Sequence, residues 1–265
     1  MKPVPVTDFP EEKGSGKLWN KVALITGGDS GIGKAVAILF AKEGADIAVS
    51  YLNEHTDARD TKSIIEEKYH QKCFLIPGDI SKEAHCRKVV QKTIKEYGRL
   101  DILVNNAAIH YEHDSLEDIP TNELLKTFAT NIFSFFWITK EALPSMKEGA
   151  AIVNSASVVA FRGSGRLIDY AATKGAIVSF TRSLSASLKE RKIRVNGVAP
   201  GPIWTPLIVS SFPAKKAAKH GSDVPMGRAG EPAEVAKSYL FLASDDASYM
   251  TGQFLHPNGG EIVGS

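Results

Sequence analysis

Short β-branched runs alternate with amphipathic helical stretches along almost all of this 265-residue chain, and that rhythm restricts the fold more than any other feature. Lys21-Val-Ala-Leu-Ile-Thr26 reads as a first buried strand, with hydrophobic residues in unbroken succession rather than alternation. A helix over Gly31–Glu43 follows, stopped by Gly44. The pattern repeats as a strand over Asp46–Tyr51, a helix over Thr56–His70 and a strand over Lys72–Ile76 closed by Pro77-Gly78. Ser81 reads as the N-cap of a helix reaching Tyr97, and Leu100–Val104 is a fourth strand. In the second half a long helix lies within Thr121–Lys147. Ala151–Ser155 is a strand, Tyr170–Lys189 a helix and Ile193–Val198 a strand. Glu231-Pro-Ala-Glu234 opens a last helix, with proline where its missing N–H is harmless, and Gln253–His256 is a short final strand. Strand–helix alternation with right-handed crossovers predicts an α/β fold: one Rossmann-type, doubly wound parallel sheet of about seven strands flanked by helices.

No linker interrupts residues 18–265, so one domain is expected there, preceded by a surface arm or frayed tail over 1–17 that carries Pro3, Pro5, Pro10, Gly14 and Gly16. Pro200 to Gly230 is the longest irregular stretch and the best candidate for a substrate loop. A net charge of +2 gives no argument for nucleic acid or a membrane surface. No apolar run approaches the roughly 18–20 residues needed to cross a bilayer. Two cysteines, Cys73 and Cys86, make no disulfide framework and fit a reducing cytoplasm.

Three local patterns carry chemistry. Thr26-Gly-Gly-Asp-Ser-Gly-Ile-Gly33 joins the first strand to the first helix. Glycines there let the backbone approach a pyrophosphate, and the helix N-terminus supplies free N–H groups and a positive dipole end. Tyr170 is the only one of seven tyrosines with lysine at i+4, Lys174. On a helix the two share a face, and an ammonium beside a phenol favours the phenolate, tuning a proton donor or acceptor. Ser157, just after the fifth strand, sits where ligands gather in a parallel sheet, and its hydroxyl can steady charge on a substrate oxygen.

These residues together resemble the short-chain dehydrogenase/reductase family, whose fingerprint is T-G-x-x-x-G-I-G, and the resemblance spans residues 18–265. Asn105-Asn-Ala-Ala108 is similar to the family's N-N-A-G, and Asn258-Gly-Gly260 to its D-G-G. Ser157, Tyr170 and Lys174 match its catalytic triad, and Asn131 the fourth member, to which the family assigns a water-linked proton relay. The resemblance implies a cofactor cradle of Gly27, Asp29, Ser30, Gly31, Ile32, Gly33, Ser50, Asp79 at the adenine, Ile80, Asn106, Ala107, Ala108, Pro200 and Gly201 beside the nicotinamide, Ile203 and Thr205, with Tyr170 and Lys174 also touching the cofactor. The implied reaction moves a hydride between nicotinamide and a small alcohol or carbonyl compound, an aldehyde, ketone or sugar. Tyr170 is its general acid or base, Lys174 tunes that phenol and contacts the ribose, and Ser157 positions the substrate oxygen. Ser50-Tyr-Leu-Asn-Glu54 and the His-Pro-Asn-Gly-Gly ending are most similar to a bacterial branch near glucose dehydrogenases and stress-associated reductases.

Cofactor choice leans to NAD rather than NADP. No cation follows the second strand closely, and Asp29 within the turn would repel a 2′-phosphate. A catalytically silent nucleotide sensor is the main alternative, and another Rossmann-type enzyme such as a methyltransferase a further one. His110-Tyr-Glu-His113 lacks the additional ligands a metal site requires, so no metal is expected, and His110 and Tyr111, following the N-N-A-A turn, read either as lining of the substrate cleft or as exposed loop side chains. The helix carrying Phe133, Phe135, Phe136 and Trp137 is apolar nearly all round and must be buried. The family resemblance implies that it packs against its symmetry mate, giving a homo-oligomer, a tetramer by analogy.

Overall fold

Continuous apolar runs become the middle layer of the molecule because a strand covered on both faces has no side on which to place polar groups. The computed structural model describes residues 1–264. Its strands are β1 Val22–Thr26, β2 Asp46–Tyr51, β3 Cys73–Pro77, β4 Ile102–Asn105, β5 Ala151–Ser155, β6 Arg194–Val198 and β7 Phe254–Leu255. All pair in parallel, in the order β3-β2-β1-β4-β5-β6-β7. The sequence-based α/β expectation therefore holds, with seven strands. The order reverses between β1 and β4, which opens a crevice at the carboxyl ends of these strands.

Alternate residues of each strand serve opposite faces. Ala23 and Ile25 join Val36, Phe40, Val49 and Tyr239 in one core layer. Leu24 joins Val89, Leu103, Ile138, Ile152 and Val195 in the other. Helices α1 (Gly31–Lys42) and α10 (Pro232–Ala243) pack together on the first face, while α3 (Glu83–Tyr97) packs with α5 (Ser134–Ala142) on the second. The remaining helices are α2 His55–Ser63, α4 Thr121–Phe128, α6 Val159–Arg162, α7 Ile168–Ser187, and α8 Pro206–Ser211 and α9 Ala214–Ala217 within the long irregular stretch.

Several local expectations shift. Ser81 is not an N-cap: Lys82 holds that position, and the Ser81 hydroxyl donates to the Asp79 carboxylate at 2.8 Å instead. Serine placed two residues after an aspartate closes a local turn with it in preference to capping. The helix carrying Tyr170 begins two residues earlier, at Ile168. The long helix is interrupted by a π-helical turn over Ala129–Phe133, which widens the coil at Asn131. At Glu231 the expected start is reinforced by a capping box with Glu234.

The first residues are pinned rather than frayed. Asp8 pairs with Lys42 and Lys68, both at 2.6 Å, and the Val6 N–H donates to Glu231. The Trp204 indole N–H donates to the Pro3 carbonyl at 2.9 Å. The all-round apolar helix is only partly covered: Phe135 and Ile138 are buried, whereas Phe133 and Phe136 are 41% and 51% exposed. One sheet face can cover only one side of a helix, so the other aromatics remain outside this chain's own core.

Candidate active site

The glycine-rich turn folds tightly because two of its residues cannot carry a side chain. A Cβ on Gly33 would lie 2.0 Å from the Gly27 carbonyl oxygen, so only glycine lets α1 approach β1 this closely. Gly31 has φ +51°, and a Cβ there would press on Thr205 at 3.3 Å. The Thr26 hydroxyl locks this turn to the one after β4, accepting from the N–H groups of Asn106 at 2.8 Å and Ala107 at 3.0 Å. Asn106 returns its side-chain amide to the Thr26 carbonyl at 3.0 Å.

These turns form one wall of a cleft of about 1010 Å³ that runs across the carboxyl ends of the strands. Its lining includes Gly27, Asp29, Ser30, Gly31, Ile32, Ser50, Asp79, Ile80, Asn106, Ala107, Ala108, Ser157, Tyr170, Lys174, Pro200, Gly201, Ile203 and Thr205. Gly33 and Asn131 are the two expected site residues outside it. Gly33 acts one step back, through the turn.

The residues present suit an extended dinucleotide. At one end the Ser50 hydroxyl is buried with no protein partner, and Gly31 leaves a backbone cradle that a Cβ would fill. Asp79 is held by the Ser81 N–H and hydroxyl. Asp29, Glu54 and Asp57 give this end an acidic rim. Burial, reinforced by Glu54 and Asp57, holds the Asp29 carboxyl above its ordinary range. At the other end Pro200 accepts from the Val158 N–H, and Gly201 lies so close to Asn258 that a Cβ would stand 2.7 Å from its Cα.

Ser157, Tyr170 and Lys174 meet midway. Lys174 is 2% exposed; its ammonium donates to the Ser155 carbonyl at 2.7 Å and lies 5.3 Å from the centre of the Tyr170 ring. Burial pushes Lys174 down to about 7. The Tyr170 phenol is raised to about 12 by burial, with the Ser157 hydroxyl drawing it the other way. The expected depression of the phenol by lysine is therefore corrected here. Desolvation outweighs the ion–dipole help, because the ammonium is itself desolvated and turned toward Ser155.

Asn131 does not reach the phenol. Its amide oxygen accepts from the Ile109 N–H at 2.9 Å, and its nitrogen donates to the Ile109 carbonyl at 2.8 Å and to Thr173 at 3.3 Å. The asparagine thus ties the loop after β4 to α7 from the widened helical turn.

The loop histidines divide. His113 turns outward to Glu123 at 3.0 Å, but His110 is buried and lines the cleft, the first of the two readings its place after the turn allowed. Its ring packs edge-on to Tyr170, with centroids 5.2 Å apart. Burial drives it down to about 4. Tyr239 and Ser155 were not singled out in the sequence, yet their hydroxyls meet at 2.6 Å beneath the cleft, and Ser155 also bonds Asn106 at 3.2 Å. A lone serine inside a strand and a lone tyrosine inside a helix have no spacing that would pair them. Among the described residues no group of three or more His, Cys, Asp or Glu side chains is placed to hold a metal ion.

Comparison with known proteins agrees with this geometry. A family model described as enoyl-(acyl carrier protein) reductase matches residues 27–261. General stress protein 39 of Bacillus subtilis is 53% identical over 263 residues, covering 99% of this chain and 92% of that protein. The chloroplastic NADPH-dependent aldehyde reductase 1 of Arabidopsis thaliana is 50% identical over 269 residues, covering 99% and 93%. A short-chain dehydrogenase from Burkholderia cenocepacia, solved in complex with NADP, superposes with a TM-score of 0.86 at 30% identity, covering 92% of this chain and 98% of that one. With a fingerprint turn, a Ser–Tyr–Lys cluster in one cleft and these relatives, the chain belongs to the short-chain dehydrogenase/reductase family of nicotinamide-dependent oxidoreductases.

Proposed function

We propose that the enzyme reduces small aldehydes and ketones, with Tyr170 as proton donor, Ser157 on the substrate oxygen and Lys174 on the nicotinamide ribose. The observation that carries this reading is the meeting of Ser157, Tyr170 and Lys174 midway along a cleft whose far end is built for a dinucleotide. When bound, the cofactor supplies the hydride; the chain supplies alignment and electrostatics. A phenol held near 12 keeps its proton throughout the neutral range, which suits donation to a nascent alkoxide better than removal of an alcohol proton. Asn131 serves as a positioning residue that fixes the loop carrying Ile109 and His110. Residues 18–265 act as one domain with residues 1–17 as its arm, in the cytoplasm. Among the described residues, no helix is long and apolar enough to cross a membrane.

Asp29, Glu54 and Asp57 support NAD over NADP, because a 2′-phosphate on the adenosine ribose would face these carboxylates. A cofactor-absorbance assay over a panel of aldehydes, run with NADH and NADPH, tests both points. Turnover of at least one carbonyl is expected, and Asp29→Ser is expected to raise the NADPH/NADH ratio of kcat/KM about tenfold, the size of one removed like-charge contact. Cofactor binding without turnover on any carbonyl would favour a silent sensor, and a wild type faster with NADPH would reverse the cofactor assignment.

The exposed face of Phe133, Phe136 and Leu125 supports a homo-oligomer, and we propose a tetramer in which this face meets its counterpart on a second copy. Light scattering at micromolar concentration is expected to give a multiple of 28.6 kDa; the monomer mass would end this proposal.

A further inference from the structure

His110 is a buried imidazole to which the reaction gives no task. It sits in the loop after β4, 7% exposed, between the Tyr170 ring and Phe212 of the long irregular stretch, with centroids 5.2 and 5.4 Å away. Neither of its ring nitrogens has a partner in the protein. Leaving a buried polar atom unmatched costs about 1–3 kcal/mol, so such a group inside a binding cleft is matched by what the cleft receives. The ring lies beside the phenol that meets the reacting oxygen. A group it can touch is therefore one attached close to the reacting carbon.

The charge state narrows the ligand. Burial and the nearby Lys174 keep His110 neutral at physiological pH. A neutral imidazole carries one donor and one acceptor. An alcohol hydroxyl offers the complementary pair, whereas a carboxylate offers acceptors alone and an alkyl group neither. Phe212 packs on the other side of the ring, centroids 5.4 Å apart, so a ligand reaches the imidazole from the cleft.

Resting on the reductase reading above, we propose that His110 recognises a hydroxyl on the carbon next to the reacting carbonyl, so that the enzyme favours α-hydroxy aldehydes and ketones over their alkyl counterparts. His110 is in this sense a specificity residue, and hydride and proton transfer do not pass through it.

Glycolaldehyde and propanal, which differ by a hydroxyl in place of a methyl group, provide the test. The wild type is expected to show the higher kcat/KM on glycolaldehyde. His110→Phe keeps an aromatic ring between Tyr170 and Phe212 and removes both nitrogens. It is expected to lower kcat/KM on glycolaldehyde about 10- to 100-fold, the range for an unmatched buried hydroxyl, while propanal stays within about threefold. His110→Gln, which restores a donor and an acceptor, is expected to recover part of the preference. Equal losses on both substrates, a ratio that does not move, or a glutamine variant no more selective than phenylalanine would each overturn the assignment. A wild type that reduces other carbonyls but prefers propanal to glycolaldehyde would also overturn it and leave the reductase reading intact. A wild type that turns over no carbonyl with either cofactor would remove the reductase reading, and this proposal with it.

Discussion

Tyr170→Phe is expected to lower kcat by at least about 100-fold, the usual contribution of a positioned proton donor, with the fold and cofactor affinity retained. The substitution removes one oxygen from a half-buried side chain and leaves the ring packed against His110. Melting temperature and cofactor binding should therefore stay close to wild type. Steady-state rates together with cofactor fluorescence titration check the separation. A rate within a few-fold of wild type would mean that water or another group delivers the proton. The same phenol predicts a direction in pH. Because burial raises its pKa to about 12, the phenol itself adds no bend to aldehyde reduction through neutrality, so a bend near pH 7 belongs to Lys174, whereas alcohol oxidation, which requires the phenolate, should climb with pH across the alkaline range.

Lys174→Met is expected to abolish turnover yet make the protein harder to unfold near pH 6. In the folded chain the ammonium is desolvated and its pKa lies at about 7, against an ordinary value of 10.5. The unfolded chain therefore binds more protons between those values, and stability rises with pH across that interval. Below about pH 7 the full cost of holding a buried charge is present; it fades as pH climbs toward the unfolded value. Methionine removes the charge and keeps much of the side-chain volume, at the cost of leaving the Ser155 carbonyl without its donor. A net gain of about 1 kcal/mol, or roughly 2–4 °C in Tm, is expected at pH 6 and should shrink toward pH 10. Thermal melts at the two pH values check the sign. A variant less stable than wild type at pH 6 would show that the Ser155 contact outweighs the desolvation.

The layered fold was legible because its signals are local: apolar runs for β1 to β6, Gly44 after α1, Pro232 at the first turn of α10. The cleft was legible where resemblance supplied spacing, as with Ser157, Tyr170 and Lys174. Tertiary burial was the part hidden from sequence. Periodicity places Tyr170 and Lys174 one turn apart, but it cannot show that the ammonium is buried and turned to the Ser155 carbonyl while the phenol lies partly enclosed, which leaves the phenol's pKa raised instead of lowered. His110 follows a turn and carries a polar ring, features that ordinarily mean exposure. It is enclosed by Tyr170 and Phe212, which the chain supplies about 60 and a hundred residues later. Asn131 reads as an ordinary helical residue until the widened turn reveals that its amide holds another loop.

The binding of Pro3 to Trp204, and of Val6 to Glu231, also has a consequence for the order of folding. The segment from Pro3 to Asp8 can settle only after chain more than two hundred residues downstream has folded. Its docking reports that the nucleotide half and the distal loop beside Ile203 and Thr205 have come together. Protease resistance of these opening residues, followed during refolding, would time that closing event.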